Sequence, residues 1–576
     1  MIQRLVLLLC AMAHSPMFVW AAPAPTSIIL NAKIITADAK FQIVEAMALH
    51  NDKIIALGAR KTVMALAASE TDILDMDGRT ILPGLIDSHV HIYGAAMHEF
   101  DHPIPPMDDI ADLLKYVQAR TQVVPKGEWI SIRQVFITRL KEQRYPTKEE
   151  LDRAAPDHPV VFSTGPDASV NSLALKLSGI DKDFKVTDGG AGYVEKDPKT
   201  QEPTGIIRSC TRYLKVKTSS RSASKEQKIT RLLELLQDYH SVGLTGIIDR
   251  NCSTDVADLL SELNKNQQLH TRVSLSMGVG SSGSMENIQK SIDRIASHPL
   301  RKTDPTLQII GIKMFLDGGM LTGSAYMRQP WGTSKIYSIT DPQYRGLLFI
   351  TPDRLEQIVH HTVKVGLQFT AHSVGDGAVH TLLDTYQKVN KVLPVAKTRP
   401  CLTHSNFMSK EAVQMCKELG VVVDIQPAWL YLDSHTLVKQ FGRERLRYFQ
   451  PLQSLMKAGV TVGGGSDHMQ RVGSFTSVNP YNPFLGMQTA ITRKGKYLED
   501  PLHPVESLSR EQAIQFYTIQ NARIMGLENQ IGSLEVGKKA DFVVLNQDIL
   551  TCPATDIHRT TCLQTWVDGK KVLSVK

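Results

Sequence analysis

Along the chain, the spacing of apolar positions changes character twice. Between 27 and 80, apolar and polar residues alternate in three short runs: SIILNAKIITAD, EAMALHNDKIIALG and ILDMDGRTILPG. Asn51-Asp52 and Asp77-Gly78 break these runs. Period-two alternation punctuated by such turn pairs predicts antiparallel hairpins. The same texture returns near the other end, in IGSLEVGKKADFVVLN and TWVDGKKVLSV, with Gly537 and Asp568-Gly569 at the turns. The two β-rich ends, 25–80 and 527–576, are expected to assemble one composite β-sandwich domain.

The middle reads differently. Apolar, β-prone runs occur at 84–89, 244–249, 271–277, 308–315, 367–372, 400–404, 421–426 and 460–465. Amphipathic helical stretches separate most of them, among them 226–241, 353–365 and 409–419. Eight strands alternating with helices predict an α/β fold, a TIM-like (β/α)8 barrel over 81–526. The gap after the first strand is far longer than one βα unit. An inserted subdomain is therefore expected at about 95–225, with strands near 129–136 and 159–163.

Composition narrows the class. The 576 residues are 42% hydrophobic and 21% charged, an ordinary globular balance that excludes disorder and coiled coil. A net charge of +7 with no dense Lys/Arg run is no nucleic-acid footprint. The first residues carry a targeting pattern. Arg4 precedes the apolar stretch Leu5 to Met12, and Val19-Trp20-Ala21 and Ala22-Pro23-Ala24 supply small-residue cleavage positions. Residues 1–24 are read as a signal peptide cut near Ala21 or Ala24. The protein is thus expected to be periplasmic or secreted, without stable membrane insertion after cleavage. Beyond Cys10 six cysteines remain, and Cys552 and Cys562 are the nearest in sequence for a disulfide.

The chemistry sits at strand ends. His89 and His91 in PGLIDSHVHIYG alternate along a strand, so both face one side and can grip one metal ion. His372 in FTAHSVGD, His404 in CLTHSN and Asp467 in GGGSDH fall at the ends of further strands, where a barrel builds its active site. Packing gives no reason for apolar strands to end this way. Lys313 in GIKMFLDGG ends another. Burial there favours a neutral amine that can add carbon dioxide to give a carbamate ligand. The alternative is a plain ion pair of Lys313 with Asp317. GGMLTGS at 318–324 lacks the Lys of a phosphate loop, and no Gly-x-Ser-x-Gly elbow is present.

In these motifs, and in the tail GSLEVGKKADFVVL, the chain resembles the amidohydrolase superfamily. The similarity is strongest to its amidohydrolase-3 (YtcJ-like) branch, which includes N-substituted formamide deformylase. NSLALKLSGI at 171–180 and EPTGIIRS at 202–209 match the insert of that branch. Two stretches depart from it. Thr164-Gly165-Pro166 stands where relatives commonly show Asp-Gly-His, and Cys401-Leu402-Thr403-His404 where they tend to show Arg-Ile-Glu-His.

The resemblance implies a metal-dependent hydrolase of a C–N bond, amide-like or cyclic, with one or two divalent ions per chain, zinc before iron, manganese or cobalt. His89, His91 and Asp467 would hold one ion and His372 and His404 the other, with carboxylated Lys313 between them. Asp467 would serve as general base and then acid. Asp376 could orient His372 or a substrate group, or cap a helix, while Tyr326, Trp429 and Tyr431 could line a pocket. Hydrolysis of an ester, lactone or dipeptide stays open, as does a non-catalytic regulatory protein of the exoenzyme-regulator type. A small-molecule substrate is expected, and a homodimer is left open.

Overall fold

A computed structural model describes residues 23–574 apart from 134, 218–221 and 303, so the expected signal peptide lies almost wholly outside the described residues. Eight parallel strands form the central sheet: β1 (Leu85–Val90), β2 (Leu244–Cys252), β3 (Arg272–Gly278) and β4 (Leu307–Phe315). They continue as β5 (Gln368–Ser373), β6 (Cys401–His404), β7 (Val422–Ile425) and β8 (Val462–Gly464). Their order in the sheet follows the chain from β1 to β8, as a singly wound barrel requires. All eight are buried along most of their length, which explains their near-continuous apolar sequences.

The covering helices follow from period and caps. Lys225–Ser241 opens with a capping box between Ser224 and Gln227 and buries Leu232, Leu235, Leu236 and Tyr239 along one stripe. Each such side chain contributes about 1.5–3 kcal/mol by leaving water.

The barrel closes at a seam between β1 and β8, and the seam places the site. Asp467 N donates to His89 O and His91 N to His468 O, each at 2.8 Å. Asn521 Nδ2 donates to Ile86 O and Gly464 O, joining the two strands from below. A Cβ on Gly465 would stand 2.8 Å from His89 N, so only glycine lets the strands approach this closely.

Between β1 and β2 lies a five-stranded sheet containing Ile130–Ile132, Val160–Ser163, Ala168–Val170, Tyr193–Lys196 and Pro203–Arg208. The first of these ends at Ile132, short of the run read from sequence. A six-stranded sheet joins the two chain ends directly, with Thr80–Pro83 antiparallel to Phe542–Leu545. One turn behaves differently from expectation. Asp72–Asp75 and Thr80–Pro83 do not form a hairpin around Asp77-Gly78. They run parallel to Ser27–Leu30 and Lys33–Ile35 in two different sheets. The Asp77-Gly78 turn lies against Asn31, where Gly78 N donates to Asn31 O, so both segments change sheets together. The six described cysteines are free, and Cys562 is buried while Cys552 sits near Arg510, so the pairing considered for them is not made.

Candidate metal centre

At the C-terminal mouth of the barrel, β1 and the turn after β8 bring three acceptor atoms together. His89 Nε2, His91 Nε2 and Asp467 Oδ1 lie 3.3 Å from one another on all three sides. Among the described residues this is the one group of three or more His, Cys, Asp or Glu side chains whose ligand atoms converge. A tetrahedron with about 2.0–2.1 Å from centre to vertex has edges of about 3.3–3.4 Å, the spacing zinc-type coordination demands. The atoms are also chemically right. Asp467 Oδ1 is buried and receives no hydrogen bond. Desolvation holds His89 well below its ordinary pKa, so it is a neutral lone-pair donor. Burial pushes the Asp467 carboxyl up. A buried carboxylate oxygen and two imidazole nitrogens at this mutual spacing form an arrangement that a cation would complete. The residues fit a divalent ion.

His372 and His404 form the adjoining wall, their ring centroids 4.5 Å apart, and His404 is 4.8 Å from His89. Burial lowers the pKa of His372 to about 3 and that of His404 well below normal. His372 Nε2 faces Gly318 O at 3.3 Å. His404 adopts φ 72° and Asp467 φ 56°, left-handed values that cost non-glycine residues energy and cluster at functional sites. Lys313, 1% exposed on β4, reaches the same space, and burial lowers its pKa to about 8. Its Nζ stands over the Phe315 ring at 5.5 Å. Among the described residues it has no carboxylate within ion-pair distance.

These groups open into a cavity of about 860 Å3 bounded on one side by the insert. Val161, Leu214 and Val216 of the insert face Met320 and Leu321 of the segment after β4.

A family model described as the amidohydrolase family matches residues 72–573, most of the chain. The chain belongs to the amidohydrolase family. It is 27% identical over 558 residues to the N-substituted formamide deformylase of Arthrobacter pascens, covering 94% of this chain and 97% of that one. It is 24% identical over 512 residues to the putative amidohydrolase YtcJ of Bacillus subtilis, covering 87% and 90%. Among solved structures, an uncharacterized metal-dependent hydrolase of Pyrococcus horikoshii shares the fold with a TM-score of 0.65 and 22% identity, covering 92% of this chain and 99% of that one.

In this amidohydrolase the remaining sequence candidates separate. Trp429 lines the cavity, edge-on to Phe136. Asp317 does not pair with Lys313. It accepts from the backbone N–H groups of Tyr326, Val374 and Gly375, and its Oδ1 lies 3.9 Å from His372 Nε2. Asp376 is turned away from His372. It opens the helix Asp376–Asn390, accepts from Arg328 N, and faces a separate peripheral cavity. Tyr326 packs over Gly377 rather than lining the main cavity, because its own backbone is pinned by Asp317. Tyr431 is likewise absent from that lining.

Beside Asp87 of the PGLIDSH motif, three buried residues that no sequence motif singles out support the site. Asp87 fastens the seam by accepting from His89 N and Ser466 N. Asp424 and Gln426 stand behind His89 and His404, and Arg250 reaches across the barrel to Asp424. Charged letters inside the apolar runs LTGIIDR and VVVDIQ were the available signal. Cys401 and Thr403 both contact Asp424 rather than the cavity.

Proposed function

We propose that this amidohydrolase is an exported, metal-dependent hydrolase that cleaves the C–N bond of an amide or cyclic amide. The observation that carries the reading is the triangle of converging ligand atoms formed by His89, His91 and Asp467. His89, His91 and Asp467 would hold a divalent ion, zinc by ligand type, whose chemistry when bound would be to lower the pKa of water to about 7 and to polarise a carbonyl. Asp467, one of the residues that would hold the ion, would also be placed to take the proton of the attacking water and pass it to the departing nitrogen. His372, His404 and Lys313 as its carbamate would hold a second ion. The close relation to a formamide deformylase supports the C–N bond as target.

Substrate selection falls to the insert. Thr164, Gly165 and Pro166, the stretch expected to differ from the family pattern, line the cavity wall.

The deciding experiment loads the purified protein with zinc, manganese or cobalt and assays N-substituted amides, cyclic amides, esters and lactones with and without chelator. Metal-dependent turnover of amides is expected. Turnover confined to esters would replace the bond class, and a protein that takes up no metal would end the hydrolase reading. Export is tested separately: the mature protein should begin near Ala22 or Pro25 by mass spectrometry.

A further inference from the structure

Behind the metal triangle lies a buried polar network that no step of the reaction uses. Asp424 in β7 and Gln426, one residue past it, alternate along the chain and both face the barrel interior, fully buried. Asp424 Oδ1 lies 3.1 Å from His89 Nδ1 and 2.8 Å from Gln426 Nε2. Asp424 Oδ2 lies 2.9 Å from Arg250 Nη2 and accepts from Thr403 Oγ1 at 3.0 Å. Gln426 Oε1 lies 2.8 Å from His404 Nδ1. Arg250 is itself braced, donating from Nη1 to Ser276 Oγ and Gln368 Oε1.

The sense of each hydrogen bond can be fixed from one end. Arginine only donates, and a carboxylate only accepts. Both oxygens of Asp424 must therefore be met by donors, which makes His89 Nδ1 an N–H and turns the NH2 of Gln426 toward Asp424. The amide oxygen of Gln426 then faces His404, so His404 Nδ1 must also carry hydrogen. Each ring is left with a bare Nε2. In His89 that atom is a vertex of the triangle.

We propose that Asp424, anchored by Arg250, is a positioning residue that fixes the tautomers of His89 and, through Gln426, of His404, so that both present Nε2 as a metal ligand. The proposal rests on the metal-hydrolase reading for its purpose, and on the hydrogen-bond geometry for its content. It also separates charge from shape. Asn is isosteric with Asp, but with Arg250 in place its oxygen must turn to the guanidinium and its NH2 to His89. That forces hydrogen onto His89 Nε2, and Gln426 must flip with the same effect on His404. Removing Arg250 as well frees the Asn to turn its oxygen back toward His89.

The test is zinc affinity, read by competition with a chromophoric chelator and independent of turnover. Asp424→Asn should bind zinc about ten- to a hundred-fold more weakly than wild type. The double variant Arg250→Met with Asp424→Asn should recover part of that loss. Circular dichroism establishes that both variants are folded. Nitrogen NMR of histidine-labelled, metal-stripped wild type reads the tautomers directly, whether or not a variant folds; two Nδ1-protonated rings at His89 and His404 are expected. Equal zinc binding by wild type and Asp424→Asn overturns the proposal, as do Nε2-protonated rings or a folded double variant no better than the single one. Wild-type protein that binds no zinc would instead sink the hydrolase reading, while the NMR result would still decide the tautomers.

Discussion

Asp467 Oδ1 lies buried 3.3 Å from both His91 Nε2 and His89 Nε2, and no other donor among the described residues reaches it. A carboxylate in that state is costly unless a cation completes it. The contact joins the turn after the last barrel strand to the end of the first, so the fold's closing seam and its reactive centre coincide.

The role of Asp467 can be isolated by Asp467→Asn. An amide keeps an oxygen for the ion but cannot accept the proton of the attacking water. Turnover should fall about 10²–10⁴-fold while part of the bound metal is retained. The measurement is kcat on a verified substrate beside metal content of the same sample. Turnover at the wild-type rate would remove Asp467 as the base.

Lys313 tests the carbamate. Its amine is buried, has no ion-pair partner among the described residues, and is lowered to about 8 by desolvation. A neutral amine adds carbon dioxide; an ammonium does not. Protein equilibrated with labelled bicarbonate should show a carbamate carbon signal that is absent in Lys313→Gln. Lys313→Ala should lose metal and activity together, and short carboxylic acids should restore part of both. A wild-type spectrum without the signal, under metal-loaded conditions, would exclude the modification.

Much of this was legible in the letters. The barrel strands announced themselves because strands buried on both faces must be apolar throughout, and His89, His91, Lys313, His372, His404 and Asp467 stood out as polar ends to such runs. Asp376 and Tyr326 were misplaced for one reason. Proximity in sequence to His372 and the Gly-rich segment says nothing about which way a loop turns, and here Asp317 dictates the turn by capturing three backbone N–H groups. The network of Arg250, Asp424 and Gln426 is hidden in the sequence because its members come from β2 and from β7 and its end, three strands apart across the closing seam. Only closure brings them together. The Asp77-Gly78 turn reads as a hairpin locally, and pairing with the segment around Asn31 overrides it.

Acid stability follows from the buried histidines. His240 lies far from the metal triangle, packed by Thr271 and Thr565, and burial lowers its pKa from 6.5 to about 4. The unfolded chain takes up a proton there below pH 6.5 while the folded one refuses it until about pH 4. Unfolding is therefore favoured progressively as pH falls through that window, and the contribution is fully present above it. At about 1.4 kcal/mol per pKa unit, the loss from this one residue is on the order of 3 kcal/mol. Denaturant titrations from pH 7 to 4 should show His240→Gln losing less stability than wild type. Parallel curves for the two proteins would contradict the buried neutral state.

The two walls of the cavity share an apolar cluster, and among the described residues one side chain hydrogen-bonds from one wall to the other. Arg208, 2% exposed at the end of an insert strand, donates to Thr322 O and Tyr337 O in the segment after β4 and lies 3.4 Å from Asp167. Thr164 to Pro166 on the insert and Gly319 to Thr322 on the facing segment are the walls it joins. Arg208→Met keeps the aliphatic bulk but removes the donor to two carbonyls and to Oδ2 of the buried Asp167, whose Oδ1 still accepts from Ser209, a loss of up to about 3–5 kcal/mol where a buried pair is broken. The triangle of His89, His91 and Asp467 does not touch this residue, so the variant should retain its metal. The damage should appear as a several-fold rise in KM, with a smaller change in kcat, because the substrate-holding walls loosen while the reacting groups stay in place. Hydrogen exchange should rise in 163–170 and 318–338 and remain unchanged along β1 and β8. A variant with unaltered KM and unaltered exchange would mean that the walls stand independently. A variant that loses its metal would mean that the insert holds the centre itself in shape.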